Sequence, residues 1–182
     1  MPRQRWRNGG GWTRELLAMP SAQDWHIRVS VADIESDGPF SAYPGVQRWF
    51  AVLAGTGVEL TIDGTMHRMT PSSNAPLCFD GTAATRCRLL DGATRDLNLM
   101  LRGASGGIAR CASGLSRQPR ESGCGLFAAT AGRCLTGGER LEVPADTLLW
   151  FDRAPATLTF EASTPDSLAG WWIEATVQRS PA

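Results

Sequence analysis

The sequence predicts an all-β protein, and three observations carry that prediction. Short segments alternate apolar and polar residues with a period of two. Glycine, proline or aspartate closes nearly every one of them. No long segment repeats its apolar residues every 3.6 positions. Alternation buries one face of a strand and wets the other, and many short strands joined by turns are stable when they close into a sandwich or barrel that leaves few exposed edges.

The elements follow in order. "TRELLAMP" (13–20) has room for one helical turn that Pro20 would stop. "WHIRVSVADI" (25–34) sets Ile27, Val29 and Val31 against Arg28, Ser30 and Ala32, so it reads as a strand. "WFAVLAG" (49–55), "GVELTIDG" (57–64), "TRCRLLDG" (85–92) and "DLNLMLRG" (96–103) are short and end in turn residues. The stretch 103–123, rich in Gly, Ser and Arg, reads as a linker or long loop. Strands resume with "LFAATAG", "TLLWFDR" (147–153), "ATLTFEA" (156–162) and "GWWIEATVQ" (170–178). The predicted organisation is a first β unit over 1–103 and a shorter second one over 104–182 packed on it.

Composition narrows the function classes. The chain has 182 residues, enough for a substantial core. Eighteen basic side chains balance eighteen acidic ones, which argues against nucleic-acid or anionic-membrane binding. No apolar run reaches the roughly 20 residues of a transmembrane helix. "MPRQRWRNGGG" lacks the apolar core of a secretion signal, so a cytoplasmic location is expected. Five scattered cysteines without a C-x-x-C pair predict free thiols rather than disulfides or a zinc knuckle. Two histidines, His26 and His67, cannot supply a three-imidazole metal site; a mixed His/Asp/Glu site stays open as an alternative, but no metal or cofactor is expected.

Four stretches could carry chemistry. Gly9, Gly10 and Gly11 in "WRNGGGWTRE" lack the strand–helix setting of a dinucleotide fingerprint; they read either as a flexible turn or as a nest of backbone N–H groups for an anion. "GASGG" (103–107) matches G-x-S-x-G around Ser105, but no helix pattern follows it and both histidines lie upstream, so a nucleophile there is not expected. "DGPFSAYPGVQRWF" (37–50) brackets Phe40 and Tyr43 between two turn dipeptides and delivers Arg48 onto a strand, as a packed connection, a rigid lip, or both. "DLNLMLR" (96–102) puts Asp96, Asn98, Met100 and Arg102 on one face and three leucines on the other. That polar face meets either solvent or a cavity, and in a cavity its groups need partners. Arg28 and Ser30 raise the same alternative.

Taken together, "WRNGGGWTRE", "IRVSVADIESDGPFSAYPGVQRWFAVLAGTG" and "LLDGATRDLNLML" resemble the HutD/Ves family of cupin-like proteins over residues 6 to about 103. The resemblance implies a compact bicupin, two β-barrel or jelly-roll units in one chain, often associating as a homodimer. It also implies a bacterial cytoplasmic protein tied to histidine utilisation or, in the Ves branch, to stress. Two departures stand out. Family members carry several residues, often an edge strand, before the Trp-Lys/Arg-Asn motif; "MPRQR" leaves that strand missing or the start misassigned. The tryptophan expected just before Arg-x-Ser-x-Ala is Ile27 here, with Trp25 two positions earlier.

The resulting expectation is a non-enzymatic small-molecule-binding protein, a regulator that senses a small carboxylate such as urocanate or a formylglutamate-like acid. Arg14, Arg28 and Arg48 are the candidate cations, since a guanidinium offers paired donors matched to a carboxylate. Asn8 and the backbone of Gly9, Gly10 and Gly11 would add neutral donors. Asp96 and Asn98 would receive a ligand N–H or orient an arginine, and Phe40 would form an apolar wall. For each arginine the alternative is a bracing salt bridge to Glu15, Asp37 or Asp96. Two competing readings remain: a metal-free isomerase or hydrolase with Asp96, Glu15 or His26 as general base, and an interaction module acting on a transcription regulator.

Overall fold

The computed structural model describes residues 2–164 and 168–178. It is built from strands, with no helix among the described residues. Its backbone separates into two compact units, Met1–Ala104 and Ser105–Ala182.

The first unit holds β1 (Arg3–Arg5), β2 (Gly11–Pro20), β3 (Trp25–Ile34), β4 (Gly38–Pro39), β5 (Val46–Ala54), β6 (Val58–Ile62), β7 (Thr65–Met69), β8 (Leu77–Asp80), β9 (Thr85–Leu89) and β10 (Thr94–Arg102). One sheet runs β1-β2-β3-β10-β5-β8 and the other β4-β9-β6-β7. Every pairing with a described register is antiparallel. The second unit holds β11 (beginning at Ala104 and ending at Cys111), β12 (Ser116–Arg117), β13 (Gly123–Ala128), β14 (Gly132–Thr136), β15 (Glu139–Val143), β16 (Thr147–Phe151), β17 (Leu158–Ala162) and β18 (Gly170–Val177). Its sheets run β11-β18-β13-β16 and β12-β17-β14-β15. The two strand orders are the same when β3-β10-β5-β8 is set beside β11-β18-β13-β16 and β4-β9-β6-β7 beside β12-β17-β14-β15. Only β1 and β2 have no counterpart. The duplication reaches the turns: Asp63-Gly64 and Gly137-Gly138 both close a hairpin with two residues at positive φ, the conformation that matches strand twist in a two-residue loop.

The chain departs from the sequence expectation in three places. "TRELLAMP" lies wholly within β2 and is not helical, because Gly11–Pro20 pairs along β3, with a bulge between Glu15 and Leu17. A one-residue bulge breaks the period-two pattern, which is why the segment did not read as a strand. The stretch 103–123 is not a simple linker: β11 occupies its first half, its glycines serving close packing, since a β-carbon on Gly106 would collide with the Glu174 carbonyl oxygen. Ser105 therefore sits in a strand with no following helix, which removes the elbow geometry. An edge strand does precede the Trp-Arg-Asn motif, as β1, tied down by Arg3 to Asp33 and Arg5 to Glu35.

In the first unit Ile34, Phe50, Val52, Val58, Leu60, Ile62, Met69, Phe79 and Cys87 form an apolar cluster between the sheets. Strand β10 is buried on both faces from Asp96 to Leu101, so Asp96 and Asn98 are interior, while Arg102 at its end is exposed.

Candidate functional site

Register decides which side chains of the first unit meet. Arg28 on β3 pairs with Met100 on β10, which pairs with Arg48 on β5, which pairs with Phe79 on β8. The next row on the same face is Glu15, Ser30, Asn98, Phe50 and Leu77, and the one after it Thr13, Ala32, Asp96 and Val52. Residues directly opposite in antiparallel strands project to the same side, so these rows stand over the barrel interior. A cavity of about 690 Å3 opens there, lined by Arg28, Ser30 and Ala32 from β3, Arg48 and Phe50 from β5, Asn98 and Met100 from β10, the 39–43 loop, and residues 4–8. No aspartate or glutamate lines it.

Arg48 is the unusual group. Its side chain lies among the rings of Phe79, Phe40 and Tyr43, with its guanidinium carbon 5.0, 5.1 and 5.6 Å from their centroids. It is 8% exposed and forms no ion pair among the described residues; Nη1 donates to the Ser41 carbonyl at 3.4 Å, and buried Nε has no acceptor among them. Burial lowers its pKa to about 10, with a smaller opposing effect from Tyr43, so it stays charged at neutral pH. Aromatic faces offset part of the desolvation of such a cation, but they do not replace an anion.

The loop that carries Phe40 and Tyr43 is fixed rather than loose. Leu89 N donates to Asp37 Oδ1 at 2.8 Å, Phe40 N to the Thr85 carbonyl at 2.9 Å, and Tyr43 N to the Gly81 carbonyl at 2.7 Å. Gly81 has to be glycine there, since a β-carbon would sit 2.5 Å from the Tyr43 carbonyl oxygen. An edge-to-face contact of Trp6 with Phe40 and a tilted one of Phe40 with Phe50 continue the aromatic wall, and the Trp6 indole N–H donates to Thr13 Oγ1 at 2.7 Å.

Of the residues singled out from sequence, Asn8, Arg28, Phe40, Arg48 and Asn98 line this cavity. Arg28 does so while braced, its Nε donating to Glu15 Oε2 at 2.8 Å with both side chains mostly buried. Arg14 does not line it: Thr13 faces the interior, and its strand neighbour points to the other side. The glycines are not an anion nest. Gly9 N donates to the Trp6 carbonyl and Gly10 N to Asn8 Oδ1, both at 3.0 Å, so these N–H groups are spent inside the loop. Gly9 supplies the positive φ of the turn, and Gly11 lets the chain close on β3, where a β-carbon would collide with the Asp33 carbonyl. The triplet shapes the loop that presents Asn8.

Asp96 is adjacent but separate. It is fully buried and outside the lining; Oδ2 accepts from Thr94 Oγ1 at 2.8 Å and Oδ1 has no partner. Desolvation raises its pKa well above the usual aspartate range, against a smaller lowering by Thr94. His26, another of the candidate bases, places Nδ1 3.0 Å from the Arg102 carbonyl oxygen and is not at the cavity. Trp25, the displaced tryptophan, is buried with Val46 and Met100 and stacks on Arg102 and Arg28. Sequence reasoning missed Phe79, because "LCFD" is too short and too mixed to show alternation, and it missed Trp6 and Thr13, whose partnership depends on the glycine turn between them.

Fold and site together define a cupin-like β-barrel protein whose first barrel holds a cation-bearing cavity. Residues 1–169 match the HutD family model, and the chain belongs to that family. It is 41% identical over 101 residues to an uncharacterised 21.2 kDa protein in the hutC 3′ region of Pseudomonas putida, a match covering 54% of this chain and 53% of that protein. It is 39% identical over 105 residues to Protein Ves of Citrobacter koseri, covering 56% and 54%. The chain thus spans about half the length of the curated relatives it matches. Among solved structures, it resembles the conserved protein of unknown function PA5104 from Pseudomonas aeruginosa PAO1, with TM-score 0.79, 26% identity and 99% and 95% coverage. It also resembles HutD from Pseudomonas fluorescens SBW25 in a formate condition, with TM-score 0.75, 27% identity and 98% and 95% coverage. A cupin barrel protein from Leptotrichia buccalis, at TM-score 0.55, 10% identity and 91% and 88% coverage, shares the fold. Among the described residues no helix is long and apolar enough to cross a membrane.

Proposed function

We propose that the first barrel binds a small carboxylate and that the protein acts through this binding rather than through a reaction, as a sensor in the regulation of histidine utilisation. The observation that carries the reading is Arg48: a guanidinium buried among three rings, without a carboxylate, facing a cavity with no acidic lining. A buried, unpaired charge is costly unless an anion completes it, and a carboxylate fits the guanidinium fork. Asn98 and Ser30 in the next row and Asn8 at the rim offer neutral hydrogen bonds to the rest of such a ligand, and Phe40 and Phe50 give it an apolar wall. The regulatory setting is supported by family membership and by the relative in the hutC 3′ region. Urocanate, with one carboxylate, is the first candidate ligand, and formylglutamate-like acids, with two, are the second.

Titration calorimetry with these acids tests the reading. Heat and a thermal shift are expected for the native chain, and both should vanish in Arg48→Met. Absence of binding to every acid tried overturns it. Turnover of one of them that is lost in Asp96→Asn replaces it with an enzyme.

A further inference from the structure

We propose that Glu15 sets the charge class of the ligand, so that the barrel accepts monocarboxylates and discriminates against dicarboxylates. This rests on the carboxylate-binding reading above and adds the identity of the residue that limits it.

The argument is one of charge within the interior. Two cations face the cavity, the part-buried Arg28 and the buried Arg48, flanking Met100 in one row, with their strands about 10 Å apart. A dianion could span two such cations. Glu15, however, comes from β2 with its carboxylate against Arg28 Nε at 2.8 Å, and this pair is mostly buried. Two cations and one anion leave a single net positive charge, centred on Arg48. Arg28 keeps N–H groups that can serve a neutral acceptor, but its charge is already compensated.

The other charged groups around the cavity do not change this balance. Arg5 is paired with Glu35 at 2.8 Å, and Arg7 is exposed at the rim, where salt screens it. Asp96 is fully buried, lies outside the lining and has no cation among its described partners, a position that favours its neutral form. A ligand with one carboxylate at Arg48 and a neutral acceptor toward Arg28 therefore matches the interior. A second carboxylate would be desolvated without an uncompensated partner.

Two acid pairs that differ by one charge and little shape test this: fumarate against its monomethyl ester, and N-formylglutamate against its side-chain amide. Titrations are run on the full chain at pH 7.5 and moderate salt. The native protein should bind the monoanion of a pair about tenfold or more tighter than the dianion. Glu15→Gln, which releases Arg28, should shift that ratio toward the dianion by about tenfold. The paired neutral variant E15Q/R28Q should keep the monoanion preference, and it covers the case in which Glu15→Gln alone fails to fold. Equal or tighter dianion binding by the native chain overturns the charge selection while leaving Arg48 as the carboxylate site. Selectivity unchanged in Glu15→Gln, or lost in the double variant, overturns the role of Glu15. No binding of any of the four acids, nor of urocanate, overturns the carboxylate reading itself.

Discussion

The two barrels of this chain share one strand order and differ in what fills them. Register makes the comparison residue by residue. In the first unit Met100, Asn98 and Asp96 on β10 pair with Arg48, Phe50 and Val52 on β5; in the second, Glu174, Trp172 and Gly170 on β18 pair with Cys124, Leu126 and Ala128 on β13. Phe79 and Leu77 on β8 likewise correspond to Phe151 and Leu149 on β16. Where the first barrel has Asn98, the second has Trp172, buried in an apolar cluster with Leu126, Leu158, Phe160 and three cysteines. Where the first has an uncompensated cation, the second has a buried anion that is fully served: Glu174 Oε1 accepts from Arg117 Nε at 2.6 Å and Oε2 from Arg120 N at 2.8 Å. The lesson is that the scaffold alone does not make a site. One barrel uses its interior positions for packing and a closed charge pair, the other for a cavity with an open valence.

Disrupting the packed barrel should have the largest effect. Trp172→Ala removes an indole from a close-packed cluster and should cost about 4 kcal/mol in chemical denaturation. Loss below about 1 kcal/mol would mean that this barrel is not packed by Trp172. Glu174→Ala comes next. It removes the charge-assisted hydrogen bonds from Arg117 and the Arg120 amide, at about 2 kcal/mol, and should raise hydrogen exchange at the Arg120 amide.

Asp96 gives the hollow barrel a pH signature. Its folded pKa is raised, so the folded chain holds this proton more tightly than the unfolded chain, whose aspartate titrates near about 3.9. Stability contributed by this group is therefore present below that value and falls as pH rises through the window up to the folded pKa, by at most about 1.4 kcal/mol per pH unit. Asp96→Asn should flatten that part of the profile and be more stable than the native chain at its upper end; an unchanged profile would show Asp96 to be ionised in the fold. The smallest stability effect is expected for Arg48→Met, within about 1 kcal/mol of the native chain in the absence of ligand, because it removes a buried charge that no carboxylate serves. Neutrality in folding with loss of acid binding is the signature of an interior position kept for a ligand. A large destabilisation would place Arg48 with Glu174, as part of the structure.

Much of this was legible in the chain itself. The alternation in 25–34 and 96–103 placed two central strands of the first barrel, and the turn dipeptides around Phe40 and Tyr43 marked a constrained lip that delivers Arg48. The glycine triplet was legible as a turn but not as a particular one, since the fate of its N–H groups depends on Asn8 and the Trp6 carbonyl, set by φ at Gly9. β2 was hidden by its bulge, β11 by its glycines, and β8 by its brevity.

What the sequence determined alone was the all-β class, the punctuation of its strands and the polar face of "DLNLM", because local periodicity and turn chemistry act over a few residues. Only the tertiary structure decided that this polar face is interior, that Arg28 has a carboxylate and Arg48 has none among the described residues, and that the first barrel holds a cavity where its repeat packs Trp172. Those outcomes depend on which side chains are brought opposite each other across strands distant in sequence, and on the loss of water between them, neither of which has a local signal in the chain.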